Sequence, residues 1–399
     1  MARKSKLDKL FAKAEKEVEK ATGTGFFAMK EFERQFGVPG FISTGLWDLD
    51  YMLMHDEKRE HYGVPRSRMT EIHGQSSSFK TTLCHRLCAD AIQQGGRVYW
   101  LSTELDFDRE YALRHIREYG VDEELAEKNF KSRPVRTITD MHNTLNRLIT
   151  PLEEAADEMV KKGQTPHDEF GPILFVVDSI ASFLSGTDYD KMDKDASDNQ
   201  RVGGRAGELH RFFQFFLYSI ARIGAALVIT NHYRANIGSR YGGVVPASDS
   251  PIKYYASLRA SCWSSNYTPN SKDHPKRNGQ EYTFGRSVNV QIHKIRGDWT
   301  VDGQTNLIYQ YAHGFDYYWS ALLTLVKSGV AEVSRSEYII DEPEDSPLAV
   351  LNGHYDQKEL KEKLAENVAD LSTLMHEVMK REPQSLEDLR EGPVREKNV

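Results

Sequence analysis

Residues 74–81 read Gly74-Gln75-Ser76-Ser77-Ser78-Phe79-Lys80-Thr81, between a strand-like Met69-Thr70-Glu71-Ile72-His73 and a helix-like Leu83 to Gln93. A strand that turns sharply into a helix through a Gly/Ser loop commits a chain to layered α/β structure. The same turn suits a triphosphate, whose oxygens need closely spaced N–H groups, a cation and a hydroxyl beside the metal. Backbone amides at the helix N-terminus meet the first need. Lys80 meets the second, and Thr81, with Thr82 behind it, the third. One residue departs from the pattern G-x-x-x-x-G-K-[ST]: Phe79 stands where the second glycine belongs. Taken alone, the stretch also reads as a Ser-rich turn, so the decision rests on the rest of the chain.

At 399 residues there is room for one large α/β core with appendages, or for two to three domains. A hydrophobic fraction of 39% with five Trp supports a packed core. No apolar run approaches the roughly 20 residues that cross a bilayer. The start, Met1-Ala2-Arg3-Lys4-Ser5-Lys6, is charged and not a secretory segment. The expectation is a cytoplasmic protein without a membrane partner, in a host's cytoplasm if the chain is viral. A formal net charge of -7 argues against bulk attraction to nucleic acid, so any DNA binding must be local to particular loops. Cys84 and Cys88 are one helical turn apart, but no further Cys or His stands at ligand spacing. Buried thiols in a reducing compartment are the better reading of these two and of Cys262.

Residues 1–36 predict a basic helical arm. Leu7, Leu10, Phe11, Ala14 and Val18 recur at helical spacing, and Thr22-Gly23-Thr24-Gly25 breaks the helix. One apolar stripe cannot be buried alone, so the arm packs on its own core or on a neighbour. The core is expected over 37–330, with strands and helices alternating from Ser43 to about Gly329. Strand candidates are Arg68 to His73, Arg97 to Ser102, Ile173 to Val177, Ala225 to Thr230 and Val288 to Ile292. Thr139 to Lys162 is helical, and Leu209, Phe212, Phe213, Phe216, Leu217, Ile220 and Ile223 form an apolar helix face. This alternation predicts a mostly parallel twisted sheet flanked by helices, with ligands beyond the carboxyl ends of its strands. A small C-terminal region, 331–399, follows. It comprises an acidic, Pro-rich linker near 341–347, helix from Gln357 to about Arg381, and a charged tail from Glu382.

Three of the strand ends downstream of the loop deliver polar groups. Val98 to Leu101 ends in Ser102-Thr103-Glu104, a carboxylate able to orient the water that attacks a γ-phosphate. Ile173 to Val177 ends in Asp178-Ser179, the Walker B pattern that supports Mg2+. Ala225 to Ile229 ends in Thr230-Asn231-His232, where a polar side chain can sense the γ-phosphate. Each alone is an ordinary cap or turn; together with the loop they form a site.

With these residues the chain resembles the RecA family of homologous-recombination ATPases. The resemblance is carried by Ser43-Thr44-Gly45-Leu46-Trp47-Asp48-Leu49-Asp50, the phosphate loop, and Glu104 through Tyr111-Ala112 to Tyr119-Gly120-Val121-Asp122. It continues through Val176-Val177-Asp178-Ser179, Ile229-Thr230-Asn231-His232 and Lys253-Tyr254-Tyr255-Ala256-Ser257-Leu258-Arg259. Phe79 and His232 bring it nearest to the UvsX-type recombinases of tailed phages, which carry Phe-Lys and Asn-His at these places. The resemblance implies a RecA-like P-loop ATPase core using ATP and Mg2+. Lys80 and Thr81 would bind phosphates and metal, Asp178 would support the metal, Glu104 would be the catalytic carboxylate, and Asp108 and Tyr111 would flank the adenine. In this family ATP lies between adjacent protomers, so Lys294 and Arg296 would reach a neighbour's γ-phosphate.

Single-stranded DNA would be held by two loops. The second, Tyr233 to Gly243, offers Arg234, Arg240 and Tyr241, with His232 at its root. The first, Ser185 to Gly207, begins acidic and later offers Arg201 and Arg205. Ser264 to Arg286, with Lys272, Lys276, Arg277 and Tyr282, reads as an exposed hairpin that touches duplex DNA or nothing. The resemblance implies self-association into a helical filament on single-stranded DNA, pairing with homologous duplex, and strand exchange, with a single-strand-binding protein and a loader as further partners. Competing readings are a RecA-core helicase or packaging motor, and a non-catalytic, ATP-gated DNA-binding protein.

Overall fold

The computed structural model describes residues 2–22, 25–56, 59–105, 107–184, 204–235, 243–267, 284–296 and 303–381. Its centre is a 10-stranded sheet. We label the main strands β1 (Met69–Gly74), β2 (Arg97–Ser102), β3 (Phe130–Pro134), β4 (Ile173–Asp178), β5 (Ala225–Ala235), β6 (Leu258–Tyr267), β7 (Gly285–Ile295), β8 (Gln304–Gln310) and β9 (Gly314–Phe315). Their spatial order is β9-β8-β7-β6-β1-β5-β4-β2-β3, and a short strand, Val244–Pro246, pairs with β5. From β6 to β3 every pairing is parallel, whereas β7, β8 and β9 add antiparallel. The phosphate loop leaves β1, which sits inside the parallel block between β6 and β5.

Covering helices bury both sheet faces. Along β4, Leu174 and Val176 belong to one apolar cluster, and Ile173, Phe175 and Val177 to the other. That is why this strand reads as an unbroken apolar run instead of an alternating one. One cluster includes helix α1 (Lys80–Gln93), through Leu83, Leu87 and Ile92. The other includes α3 (Ile138–Lys161) and α4 (Gly204–Ile223); helix α2 (Arg109–Glu118) packs at the α1 side. The aromatic face of α4 is core: Leu209, Phe212, Phe213, Phe216, Ile220 and Ile223 are buried. All three cysteines are free and buried, as read.

Several elements lie outside the sequence expectation. Strand β3, Phe-Lys-Ser-Arg-Pro, is an edge strand with four of five residues exposed, so it lacks any apolar signature. The acidic stretch near 341–347 is a folded turn, not a linker. Glu342 pairs with Arg381 at 2.7 Å and accepts from Ser346 at 2.9 Å. It joins the strand Glu337–Ile340 to the 3-10 turn Pro347–Leu351, and with Glu332–Ser334 and Gly353–Tyr355 that strand makes a three-stranded antiparallel sheet. The sheet packs with helices Gln357–Glu366 and Val368–Met379 around Leu348, Leu360 and Met375. Helix Tyr317–Lys327 contributes Leu322 and Leu325 to the same cluster.

The N-terminal arm is helical over Ala2–Thr22 and again over Met29–Phe36. Phe36 anchors the second helix on Tyr218 of α4, with ring centroids 5.8 Å apart. The first helix is not packed on its own core: Leu10 and Phe11 are more than 60% exposed and Val18 is exposed. Among the described residues no helix is long and apolar enough to cross a membrane.

The segment Ser43 to Asp50 is held by a single side chain. The buried Asp50 carboxylate accepts from Ser43 Oγ (2.6 Å), Thr44 N and Oγ1 (both 2.9 Å) and Gly45 N (3.0 Å). One carboxylate thereby closes the turn that enters helix Trp47–Met52 beside the main apolar cluster.

Candidate active site

Gly74 ends β1 where no side chain fits, since a Cβ there would stand 2.2 Å from the Cys262 carbonyl and 2.7 Å from Ser78 Oγ. The loop turns through Ser77 (φ 60) and Phe79 (φ 71), both left-handed. Phe79 therefore adopts the backbone conformation for which the usual glycine is suited. Its ring lies against Tyr309 (centroids 4.7 Å apart) and Phe315 (6.3 Å), delivered by β8 and β9. That packing offsets the cost of the left-handed backbone.

Lys80 is folded onto the loop, donating to the carbonyls of Gln75 (2.7 Å) and Gly74 (3.2 Å) and to Ser78 Oγ (3.4 Å). Burial lowers its pKa, against the nearby carboxylates of Asp178 and Glu104. Thr81 Oγ1 donates to Asp178 Oδ2 at 2.8 Å, and Thr230 donates to the other carboxylate oxygen. A hydroxyl and a carboxylate so placed fit Mg2+, which keeps several waters and takes few protein ligands besides the substrate's phosphates.

Glu104 sits across the cavity. Ser179 Oγ and Ser182 Oγ both donate to its Oε1, at 2.6 and 2.8 Å, and His232 Nε2 lies 3.4 Å from the same oxygen. Burial pushes Glu104 up, but these two hydroxyls and the charges of His232 and Lys80 outweigh it and hold the carboxyl below its ordinary value. For His232, burial and then the Lys80 charge lower the pKa, against Glu104 and Asp178.

The sequence candidates converge well. Ser76, Ser77, Phe79, Lys80, Thr81, Thr82, Glu104, Tyr111, Asp178 and His232 line one cavity of about 500 Å³. Tyr111 reaches it from α2, its hydroxyl 2.5 Å from Thr82 Oγ1. Gln75 and Ser78 belong to the loop without facing the cavity. Asp108 caps α2, accepting from Tyr111 N at 3.1 Å, and is not among the lining residues. Two lining residues were not singled out from sequence: Arg286 of β7 and Tyr311, just past β8. Arg286 donates to Ser264 Oγ (2.8 Å) and Asn266 Oδ1 (2.9 Å), while Ser264 Oγ donates to Ser77 O (2.9 Å). Its Nε is buried without a partner. Both residues stand on the β6–β7–β8 side of the loop, opposite the β5–β4–β2 side that supplies His232, Asp178 and Glu104. Only their arrival beside the loop marks them, and nothing local in the sequence does.

Lys294 and Arg296 are at the other end of the sheet. Gly74 pairs with Cys262, while Lys294 pairs with Arg259 and Ile295 with Leu258, at the start of β6. Lys294 Nζ donates to Lys253 O (2.8 Å) and Arg296 to Tyr254 O (3.4 Å). Neither can serve the cavity of its own chain. Of the DNA candidates, Arg205 and Arg234 are described: they donate to the carbonyls of Ile180 and Ala181. Arg201, Arg240 and Tyr241 lie outside the described residues, as do Lys272, Lys276, Arg277 and Tyr282. The base of the Ser264 to Arg286 hairpin is the β6–β7 pair.

The RecA N-terminal domain family matches residues 9–131. The chain is 26% identical over 329 residues to protein RecA of Thermotoga sp. (strain RQ2), covering 82% of this chain and 79% of that one. It is 28% identical over 250 residues to protein RecA of Gluconacetobacter polyoxogenes, with 61% and 60% covered. A third relative, protein RecA of Chlorobaculum parvum (strain DSM 263 / NCIMB 8327), is 27% identical over 219 residues, with 55% and 53% covered. The chain thus spans under two thirds of the last two. In sequence the chain is similar to RecA proteins, and its mainly parallel sheet flanked by helices is consistent with a RecA-like core.

Proposed function

We propose that this RecA homologue is an ATP-dependent DNA recombinase, which coats single-stranded DNA as a helical filament, aligns it with homologous duplex and exchanges strands. Phe79 and His232 favour the UvsX type within that class. The observation that carries the reading is the division of cations: Lys80 lies inside the cavity, while Lys294 and Arg296 stand at the far end of the same sheet. Of the two cations lining the cavity, Lys80 is folded onto the loop and Arg286 is held to Ser264 and Asn266 on the β6–β7 side, which leaves charge spreading over the γ-phosphate oxygens to be met by a further cation. A neighbouring copy presenting Lys294 and Arg296 would complete the cavity. The exposed Leu10 and Phe11 stripe supports such a neighbour, because it has no apolar cover among the described residues.

In this reading the loop amides and Lys80 cradle the β- and γ-phosphates, and Ser76, Ser77 and Thr82 line the cradle. Lys80 must leave the carbonyls of Gln75 and Gly74 to do so. Thr81 and Asp178 would hold Mg2+, which would supply positive charge against the phosphates. Tyr111 stacks on the adenine, and Asp108 borders it from the rim. Glu104 orients the attacking water and accepts its proton. His232, beside Glu104 at the root of the second DNA loop, senses whether the γ-phosphate is present and passes that state to Arg234 two residues on. Hydrolysis then removes the contact that keeps the loop in its DNA-holding form.

The test is ATP hydrolysis with and without single-stranded DNA, on wild type and Lys80→Ala, together with electron microscopy in a non-hydrolysable analogue. Strong stimulation by DNA, lost in Lys80→Ala, and filaments on DNA are expected. Hydrolysis indifferent to DNA, or a protein that stays monomeric on DNA with the analogue, would end this reading.

A further inference from the structure

Two arginines from opposite sides converge on one short turn. Arg234 of β5 donates to the Ala181 carbonyl at 2.8 Å, and Arg205 of α4 donates to the Ile180 carbonyl. Neither guanidinium is paired with a carboxylate among the described residues, and Arg205 Nε is buried without a partner. They also repel one another: burial, and after it the Arg234 charge, brings the Arg205 pKa down to about 10. Two cations side by side, whose acceptors among the described residues are neutral carbonyls, make an anion site.

The turn they grip, Ile180–Ser182, is the one that holds Glu104. Ser179 and Ser182 flank the gripped carbonyls, and their hydroxyls donate to Glu104 Oε1 at 2.6 and 2.8 Å. Thr103 fastens the other edge, exchanging hydrogen bonds with Ser179 N (2.9 Å) and Ser179 O (2.8 Å). The same short segment is therefore held by the arginines through its carbonyls and holds the carboxylate through its hydroxyls.

We propose that residues 179–182 form a latch: Arg205 and Arg234 brace it in the absence of DNA, its serines restrain Glu104, and a phosphate of single-stranded DNA opens it by drawing the two guanidiniums away. This rests on the recombinase reading and adds how DNA would switch hydrolysis on. A phosphate oxygen outcompetes a carbonyl because the bond is charge-assisted on both sides, and because its negative charge relieves the repulsion between the arginines. Loss of the braces frees the turn, and loss of the hydroxyl donors leaves Glu104 a stronger acceptor for the water proton. Ser182 and Ser179 are positioning residues, acting only through Glu104. Lys80, Asp178 and His232 also face this cavity.

The test is ATPase rate with and without a single-stranded oligonucleotide in wild type, Ser182→Ala, Ser182→Thr and Arg205→Gln. Ser182 is exposed, so its truncation leaves the packing intact. Ser182→Ala is expected to raise the DNA-free rate roughly threefold to tenfold, the worth of one ordinary hydrogen bond. Its DNA-saturated rate stays near wild type, so the stimulation ratio falls by the same factor, and Ser182→Thr restores it. Arg205→Gln is expected to bind DNA more weakly yet hydrolyse ATP faster without DNA, which no purely DNA-binding residue would do. A Ser182→Ala protein that loses rate equally with and without DNA, or keeps the wild-type ratio, overturns the latch while leaving the recombinase reading standing. A wild type unstimulated by DNA overturns both.

Discussion

Replacing Phe79 by alanine and by glycine separates two opposed terms at the phosphate loop. The ring is half-buried on Tyr309 and Phe315. Full burial of a phenylalanine is worth roughly 1.5–3 kcal/mol, so half burial contributes about 1 kcal/mol. Aromatic pairing adds roughly 0.5–1.5 kcal/mol. Either truncation forfeits this, about 2 kcal/mol in total. At φ 71, however, alanine keeps the left-handed strain, a cost of roughly 1–2 kcal/mol for any L-residue. Glycine escapes it, less roughly 0.5–1 kcal/mol for its extra backbone freedom when unfolded. Phe79→Gly should therefore be less stable than wild type but about 0.5–1 kcal/mol more stable than Phe79→Ala. Urea unfolding followed by tryptophan fluorescence reads the order of the midpoints. Alanine above glycine, the ordinary ranking inside a helix, would refute both the strain and its compensation by β8 and β9.

Three further outcomes follow from the site and the core. Glu104→Gln should keep nucleotide affinity within a few fold while hydrolysis falls by roughly 10²–10⁴; a loss confined to binding would move the catalytic role elsewhere. Arg286→Gln should weaken ATP and ADP alike, by about tenfold or more for one charged hydrogen bond, with turnover unchanged. Titration with fluorescent nucleotides measures this, and a loss seen only for ATP would put Arg286 at the γ-phosphate instead. For Glu71, burial pushes the carboxyl up, but His73 at 3.6 Å, the Arg259 guanidinium at 2.5 Å and Asn231 outweigh it and leave the pKa lowered. A depressed value means that its contribution to stability is complete above the unfolded pKa, near 4.5, and is lost as pH falls through the folded one. Urea midpoints measured from neutral pH down to about 3 should drop more steeply in wild type than in Glu71→Gln.

What could be read without coordinates were features whose cause is local. The strand–loop–helix around Lys80, the apolar run ending in Asp178 and the 3.6-residue face of α4 each announce themselves within a dozen residues, because period and capping are short-range properties. The edge strand β3 escaped, since an exposed strand buries nothing and so carries no apolar pattern. The acidic turn at 341–347 misled, because composition records charge and not the Arg381 that meets Glu342.

The chain by itself determined that the Gly/Ser loop with Lys80, Asp178 and Glu104 stand at strand ends on one side of the sheet, since parallel strands place their carboxyl ends together. Tertiary structure alone decided the rest. Phe79 is tolerated because two aromatics more than two hundred residues away arrive under its ring, and Arg286 and Tyr311 enter the cavity because β7 and β8 fold back beside the loop. The same antiparallel return carries Lys294 and Arg296 to the opposite end of the sheet. Side-chain chemistry is written residue by residue, but which distant groups share a cavity is set by strand direction and register, and these are settled only when the whole sheet assembles.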